Sequence, residues 1–137
     1  MKYANNPFNI RATKSKWIGQ SGSKKGFCTF YSLTYGVRAA LYLIHRTYWI
    51  RRWHTIRQII YHWAPPEDNN RTDDYVIFVV NFMRDKGYNV SDSAIPHFFD
   101  RQKLLAFLNA MAKIETGSVI SEATLDKAFK ILYNQNG

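Results

Sequence analysis

From Tyr35 onward, the apolar residues of this chain recur at the three- and four-residue spacing of one helix face. Val37, Ala40, Leu41 and Ile44 make the first such stripe. Residues 55–63 make a second helix with Ile56, Ile59 and Ile60 facing inward, and Ala64-Pro65-Pro66 stops it because proline lacks the N–H a helix needs. After the polar loop 67–71, Thr72 is expected as an N-cap. Asp73 and Asp74 then lie in a first turn whose dipole favours negative charge, and that helix runs to about Lys86 and ends at Gly87. A connector, 88–99, contains Pro96. Asp100 then caps a helix over 101–115, and Ser121 caps a last one over 122–134.

The part before Tyr35 reads differently. Asn5-Asn6-Pro7 is a turn signal inside an ordered loop over 1–16. Trp17–Gln20 and Phe27–Tyr31 are expected as two strands around the turn-rich loop Ser21–Gly26. The expected fold is therefore mainly α (α+β), a single domain over 1–137 with a small β-hairpin near its start.

Nineteen Lys and Arg against ten Asp and Glu leave a net charge of +9, which favours an anionic partner such as nucleic acid, a membrane surface or the bacterial cell wall. Cys28 is the only cysteine, so no internal disulfide and no cysteine metal cluster can form. His45, His54, His62 and His97 make no metal-binding spacing, and there is no glycine-rich phosphate loop or serine-nucleophile elbow. No metal and no organic cofactor is expected. No run approaches the roughly 20 apolar residues of a membrane span. The first eleven residues have no apolar core of a signal peptide, so if the target lies outside the cytoplasm the protein is expected to be delivered by other means.

Chemistry is constrained by a short acidic inventory of three Glu and seven Asp. Leu104, Leu108 and Met111 form the inward stripe of their helix, and four residues further on the same face lies Glu115, just before Thr116-Gly117-Ser118. A carboxyl in a partly apolar wall is held protonated, because desolvation disfavours its charged form. Such a group can donate a proton to a leaving oxygen near neutral pH. A solvated carboxylate at a frayed helix end is the bland alternative. Glu122 follows a cap and reads as a dipole partner. Glu67, beside Asp68 in a polar loop next to Trp63, is a second candidate.

Three stretches carry a resemblance. The first is Asn5-Asn6-Pro7-Phe8-Asn9-Ile10-Arg11, followed by Trp17-x-Gly19-Gln20 and Phe27-x-x-Phe30. The second is Tyr35-Gly36-Val37-Arg38-Ala39, then Trp63-Ala64-Pro65-Pro66-Glu67-x-Asn69 with Thr72 and Tyr75. The third is Ala110-x-x-x-x-Glu115-x-Gly117. In this order they resemble a phage and prophage family of virion-associated lytic proteins, whose hallmarks are Asn-Asn-Pro-Gly-Asn-Ile-Arg and a later Trp-Ala-Pro-Pro-x-Glu-Asn. Phe8 stands where the family has Gly, and Asp68-Asn69-Asn70 stretches the Glu-Asn pair by one position. The family is similar to lysozyme-superfamily glucosaminidases and lytic transglycosylases. In the flagellar glucosaminidase type the catalytic Glu precedes these motifs, whereas here Glu115 follows them, which implies a circularly permuted lysozyme-like domain.

The resemblance implies cleavage of peptidoglycan glycan strands, as a muramidase, glucosaminidase or lytic transglycosylase, with bacterial peptidoglycan as substrate and phage virion or tail proteins as partners. Glu115 would be the general acid, with Glu67 or Asp68 positioning water. Asn6, Asn9 and Arg11 would donate to sugar substituents, and Trp17, Phe30, Trp63 and Tyr75 would stack on sugar faces. Two alternatives remain: a virion structural protein that keeps the fold without activity, and a basic nucleic-acid-binding module. The second draws on the interleaved basic and aromatic residues from Arg46 to Arg57. Nucleic acid is not the expected partner.

Overall fold

The computed structural model describes residues 1–134. Among them are five main helices and one two-stranded antiparallel hairpin near the N-terminus. The strands are β1 (Gln20–Lys24) and β2 (Phe27–Phe30). The helices are α1 (Leu33–Tyr42), α2 (Ile56–Trp63), α3 (Thr72–Asp85), α4 (Arg101–Thr116) and α5 (Glu122–Asn134). Beyond Tyr42, α1 widens into a π-helical stretch, Leu43–Thr47, and one further turn, Tyr48–Ile50. No helix of the described residues is long and apolar enough to cross a membrane.

The hairpin is tighter than the expected loop over Ser21–Gly26. Its turn is only Lys25-Gly26, with φ of 53° and 85°, and Lys24 pairs with Phe27. Two positive φ values in a two-residue turn match the right-handed twist of the flanking strands. Ser21 to Lys24, small and polar, belong to an exposed ribbon rather than a loop, and Trp17 to Gly19 lie before the strand instead of in it.

Helix starts follow local chemistry. The Thr55 hydroxyl accepts from the Gln58 N–H while the Gln58 side chain returns to the Thr55 backbone, a complete capping box. The Asp100 carboxylate accepts from the N–H groups of Gln102 and Lys103. Thr72 is not the cap expected of it. It is the first residue of α3, buried, and its Oγ1 donates to the Ala64 carbonyl at 2.6 Å, which ties α3 to the end of α2.

Helix α4 is the centre of the molecule. Leu104, Phe107, Leu108 and Met111 are joined in burial by Ala106, Ala110 and Ala112, so nearly every side of the helix is covered. The alanines let neighbouring backbones approach closely. Helix α3 packs against α4, α2 against α3, and α1 against α5 and β2. The buried apolar residues form one cluster. Full burial of a Leu or Phe side chain contributes about 1.5–3 kcal/mol, so this centre anchors everything attached to it.

The N-terminal loop closes over the end of α4. Gly36 permits this: a Cβ there would sit 2.0 Å from the Asn5 carbonyl oxygen. Phe8 is fully buried, and the positive φ values of this loop fall on Asn5 (57°) and Asn9 (51°). Asparagine tolerates the left-handed region better than most residues.

Candidate active site

Glu115 occupies the last turn of α4, and Gly117 ends the helix in the left-handed conformation, φ 72°. The Thr116 hydroxyl donates to the Pro7 carbonyl at 2.9 Å, fastening this end to the N-terminal loop. Asn9 reaches across from that loop. Its Nδ2 donates to the Glu115 backbone carbonyl and to the Glu115 Oε1, both at 3.1 Å. From α3, the Tyr75 hydroxyl donates to the Glu115 Oε2 at 3.1 Å. Both carboxyl oxygens are therefore held, by residues 106 and 40 positions away in sequence.

The side chain is half-buried, and desolvation raises its pKa above the ordinary glutamate value. The bonds from Asn9 and Tyr75 and the charge of Arg11 oppose that rise, and burial outweighs them. Tyr75 itself is buried beside the carboxylate, which pushes its phenol well above its usual value and keeps it a hydrogen-bond donor. The Asn9 Oδ1 is buried without a partner. Turning the amide over would set that oxygen against the Glu115 backbone carbonyl, so the orientation is fixed by the donor side.

Asn9 also faces a cavity of about 180 Å³, lined with it by Arg11, Trp17, Tyr48, His62 and Trp63. The indole N–H of Trp63 donates to the Phe8 carbonyl at 3.1 Å, and its ring meets Phe8 and Tyr48 edge to face. Burial pushes the Tyr48 phenol up to about 12. Arg11 lies over the Phe27 ring, 4.9 Å from its centroid, and pairs loosely with Asp68 at 3.8 Å. An aromatic-walled cavity beside an amide and a guanidinium suits an amphipathic, hydrogen-bonding ligand such as a sugar.

Glu115, Asn9 and Tyr75 thus form one hydrogen-bonded group, with Asn9, Arg11, Trp17 and Trp63 lining the adjoining cavity and Asp68 loosely paired with Arg11. Other expected site residues lie elsewhere. Asn6 has no exposed surface: its Nδ2 donates to the Ile10 and Cys28 carbonyls and its Oδ1 accepts from the Ile10 N–H. It shapes the loop and cannot reach a ligand. Phe30 is 1% exposed and belongs to the core, so it offers no face to a sugar. Tyr75 is buried too, and contributes its hydroxyl to Glu115 rather than its ring to a ligand. Glu67 sits in the exposed turn Pro66–Asp68 and makes no hydrogen bond or ion pair among the described residues.

Tyr48 and His62 were not among the expected residues. Tyr48 continues the stripe of Leu41 and Ile44 at helical spacing and so reads as core. His62 lies stacked on Trp53, with ring centroids 3.4 Å apart, a contact that no sequence pattern signals. No group of three or more His, Cys, Asp or Glu side chains among the described residues could hold a metal ion.

Compared with models of known protein families and with curated proteins, the chain matches none.

Proposed function

We propose that the protein cleaves the glycan strands of bacterial peptidoglycan, with Glu115 as the general acid. The observation that carries this reading is the carboxyl at the end of α4. It is half-buried, raised in pKa, and fixed through both oxygens by Asn9 and Tyr75, and Asn9 in turn lines an aromatic-walled cavity. A carboxylic acid that keeps its proton near neutral pH, in a defined orientation, is what departure of a glycosidic oxygen requires.

In this reaction the Glu115 proton passes to the glycosidic oxygen as the bond from the muramyl C1 to that oxygen breaks. The ring passes through an oxocarbenium-like transition state. The carboxylate left on Glu115 then takes the proton of the nucleophile. The nucleophile is the muramyl 6-hydroxyl in a transglycosylase and water in a hydrolase. Because one carboxyl is held and Glu67 is exposed and unbound, the intramolecular route is the better supported. Asn9 and Tyr75 accompany the acid through both steps, donating to whichever form is present.

The order of the motifs, with the acid last, fits a lysozyme-like domain in circularly permuted form, from the phage and prophage lytic family that the sequence resembles. Delivery within a virion to the cell wall follows from the same resemblance, and the +9 charge suits an anionic wall.

The test is mass analysis of the fragments released from purified peptidoglycan. Muropeptides with 1,6-anhydro ends, absent for Glu115→Gln, are expected. Full release by the Glu115→Gln variant would overturn the assignment.

A further inference from the structure

Arg38 lies in α1 between Val37 and Ala39 and is 2% exposed, the largest of the fully buried side chains. Its Nε is buried without a hydrogen-bond partner, and no carboxylate among the described residues pairs with it. The Tyr42 ring lies near it, its centroid 5.7 Å from the guanidinium carbon; burial lowers its pKa, and the Arg46 charge nearby adds to that. A buried cation without a counter-charge is held at a cost in solvation, so this group is poised for an anion supplied from outside.

The same residue lines a cavity of about 350 Å³, along with Ser15, Lys16, Trp17, Ile18 and Tyr42. Lys16 adds a second positive charge and Ser15 a hydroxyl. Thr13 and Trp17 line this cavity and also the 180 Å³ cavity next to Asn9. The two spaces therefore share a wall, one cationic and the other beside the acid. A ligand spanning both would meet aromatic walls at one end and cationic side chains at the other.

We propose that Arg38, with Lys16, binds a carboxylate on the peptide arm of the muramyl residue whose sugar lies in the adjoining cavity. This rests on the glycan-cleaving reading and names the part of the substrate that reading leaves open. A planar guanidinium with several N–H donors matches a carboxylate. The arm's amide and methylene groups suit the Trp17, Ile18 and Tyr42 walls. The volume exceeds what a lone small anion fills, which favours an anion carried on a chain.

The experiment uses the full chain with Glu115→Gln, so that ligands persist, and follows the Arg38 Nε–H signal by NMR together with affinity by calorimetry. The ligands are a disaccharide–peptide of peptidoglycan, the same disaccharide without peptide, the free stem peptide, and inorganic phosphate. The peptide-bearing disaccharide is expected to bind about tenfold tighter than the bare one and to shift the Arg38 signal. Adding Arg38→Met should abolish that advantage. Lys16→Ala, at an exposed position where folding is not at stake, should reduce it several-fold.

Equal affinity of the two disaccharides would overturn the proposal while leaving the glycan reading intact. A peptide advantage that survives both substitutions would overturn it as well. Phosphate shifting the Arg38 signal as strongly as the peptide ligand would replace the carboxylate with a wall or free phosphate, and so would also overturn it. If the wild type cleaves no glycan and neither saccharide binds, yet stem peptide alone shifts Arg38, the glycan reading falls and the carboxylate site stands.

Discussion

Replacing Asn6 by alanine should destabilise the protein strongly although it touches neither Glu115 nor the cavities. The Asn6 amide makes three buried bonds: to the Ile10 carbonyl at 3.0 Å, to the Cys28 carbonyl at 2.8 Å, and from the Ile10 N–H at 2.9 Å. The Ile10 carbonyl keeps another donor, the Cys28 N–H. The Ile10 N–H has no other acceptor among the described residues. An orphaned buried donor costs about 1–3 kcal/mol, and each of the other two lost bonds about 0.5–1.5 kcal/mol. The sum is about 4 kcal/mol, against a typical total stability of about 5–15 kcal/mol. With a urea slope near 2 kcal/mol/M, the unfolding midpoint should fall by about 2 M. Because the same loop carries Asn9, residual activity should fall further than the folded fraction. A midpoint lowered by less than about 0.3 M would refute the view that this asparagine holds the N-terminal loop together.

Gly36→Ala should also destabilise. A Cβ 2.0 Å from a backbone oxygen forces the loop away from α1, at about 1–3 kcal/mol, which outweighs the gain of up to about 1 kcal/mol in helix propensity; thermal unfolding reads the sign. Glu115→Gln should raise the melting temperature, and the gain should depend on pH. The native carboxyl has a raised pKa, so it carries no penalty below the ordinary glutamate pKa, about 4.3, and the penalty grows from there until pH passes the native value, above which it is constant. The difference between variant and parent should therefore widen as pH rises above about 4.3 and level off once pH passes the raised native pKa, and a difference constant with pH would contradict the burial of that carboxyl.

Much of the fold is legible in the sequence because its signals are local. Helical spacing and the residues at helix ends mark all five helices, and the Asp100 cap is visible in a four-residue window. What escapes is tertiary. Thr72 looks like a cap in isolation, but Ala64 claims its hydroxyl. Ser21–Lys24 looks like a loop because an exposed ribbon needs no apolar alternation. The site divides in the same way. The stripe ending in Glu115 is a property of one helix and can be read directly. Whether Asn6 or Asn9 meets it depends on which amide the loop uses for its own closure, and the two look alike in sequence. Phe30 and Tyr75 were expected to stack on sugars because aromatic residues serve cores and ligand walls equally well; only the packing against α4 and the hairpin separates those uses. Arg38 does carry a local signal, a lone cation within Gly36-Val37-Arg38-Ala39-Ala40-Leu41, whose meaning needs the cavity beside it.

Carbon NMR titration of the Glu115 side-chain carboxyl most directly tests the claim that burial raises the pKa of this group. The midpoint should lie above that of an ordinary glutamate, and Tyr75→Phe, which removes a donor to the charged form, should move it higher still. A midpoint at or below the ordinary value in the parent protein would contradict a general acid at this position.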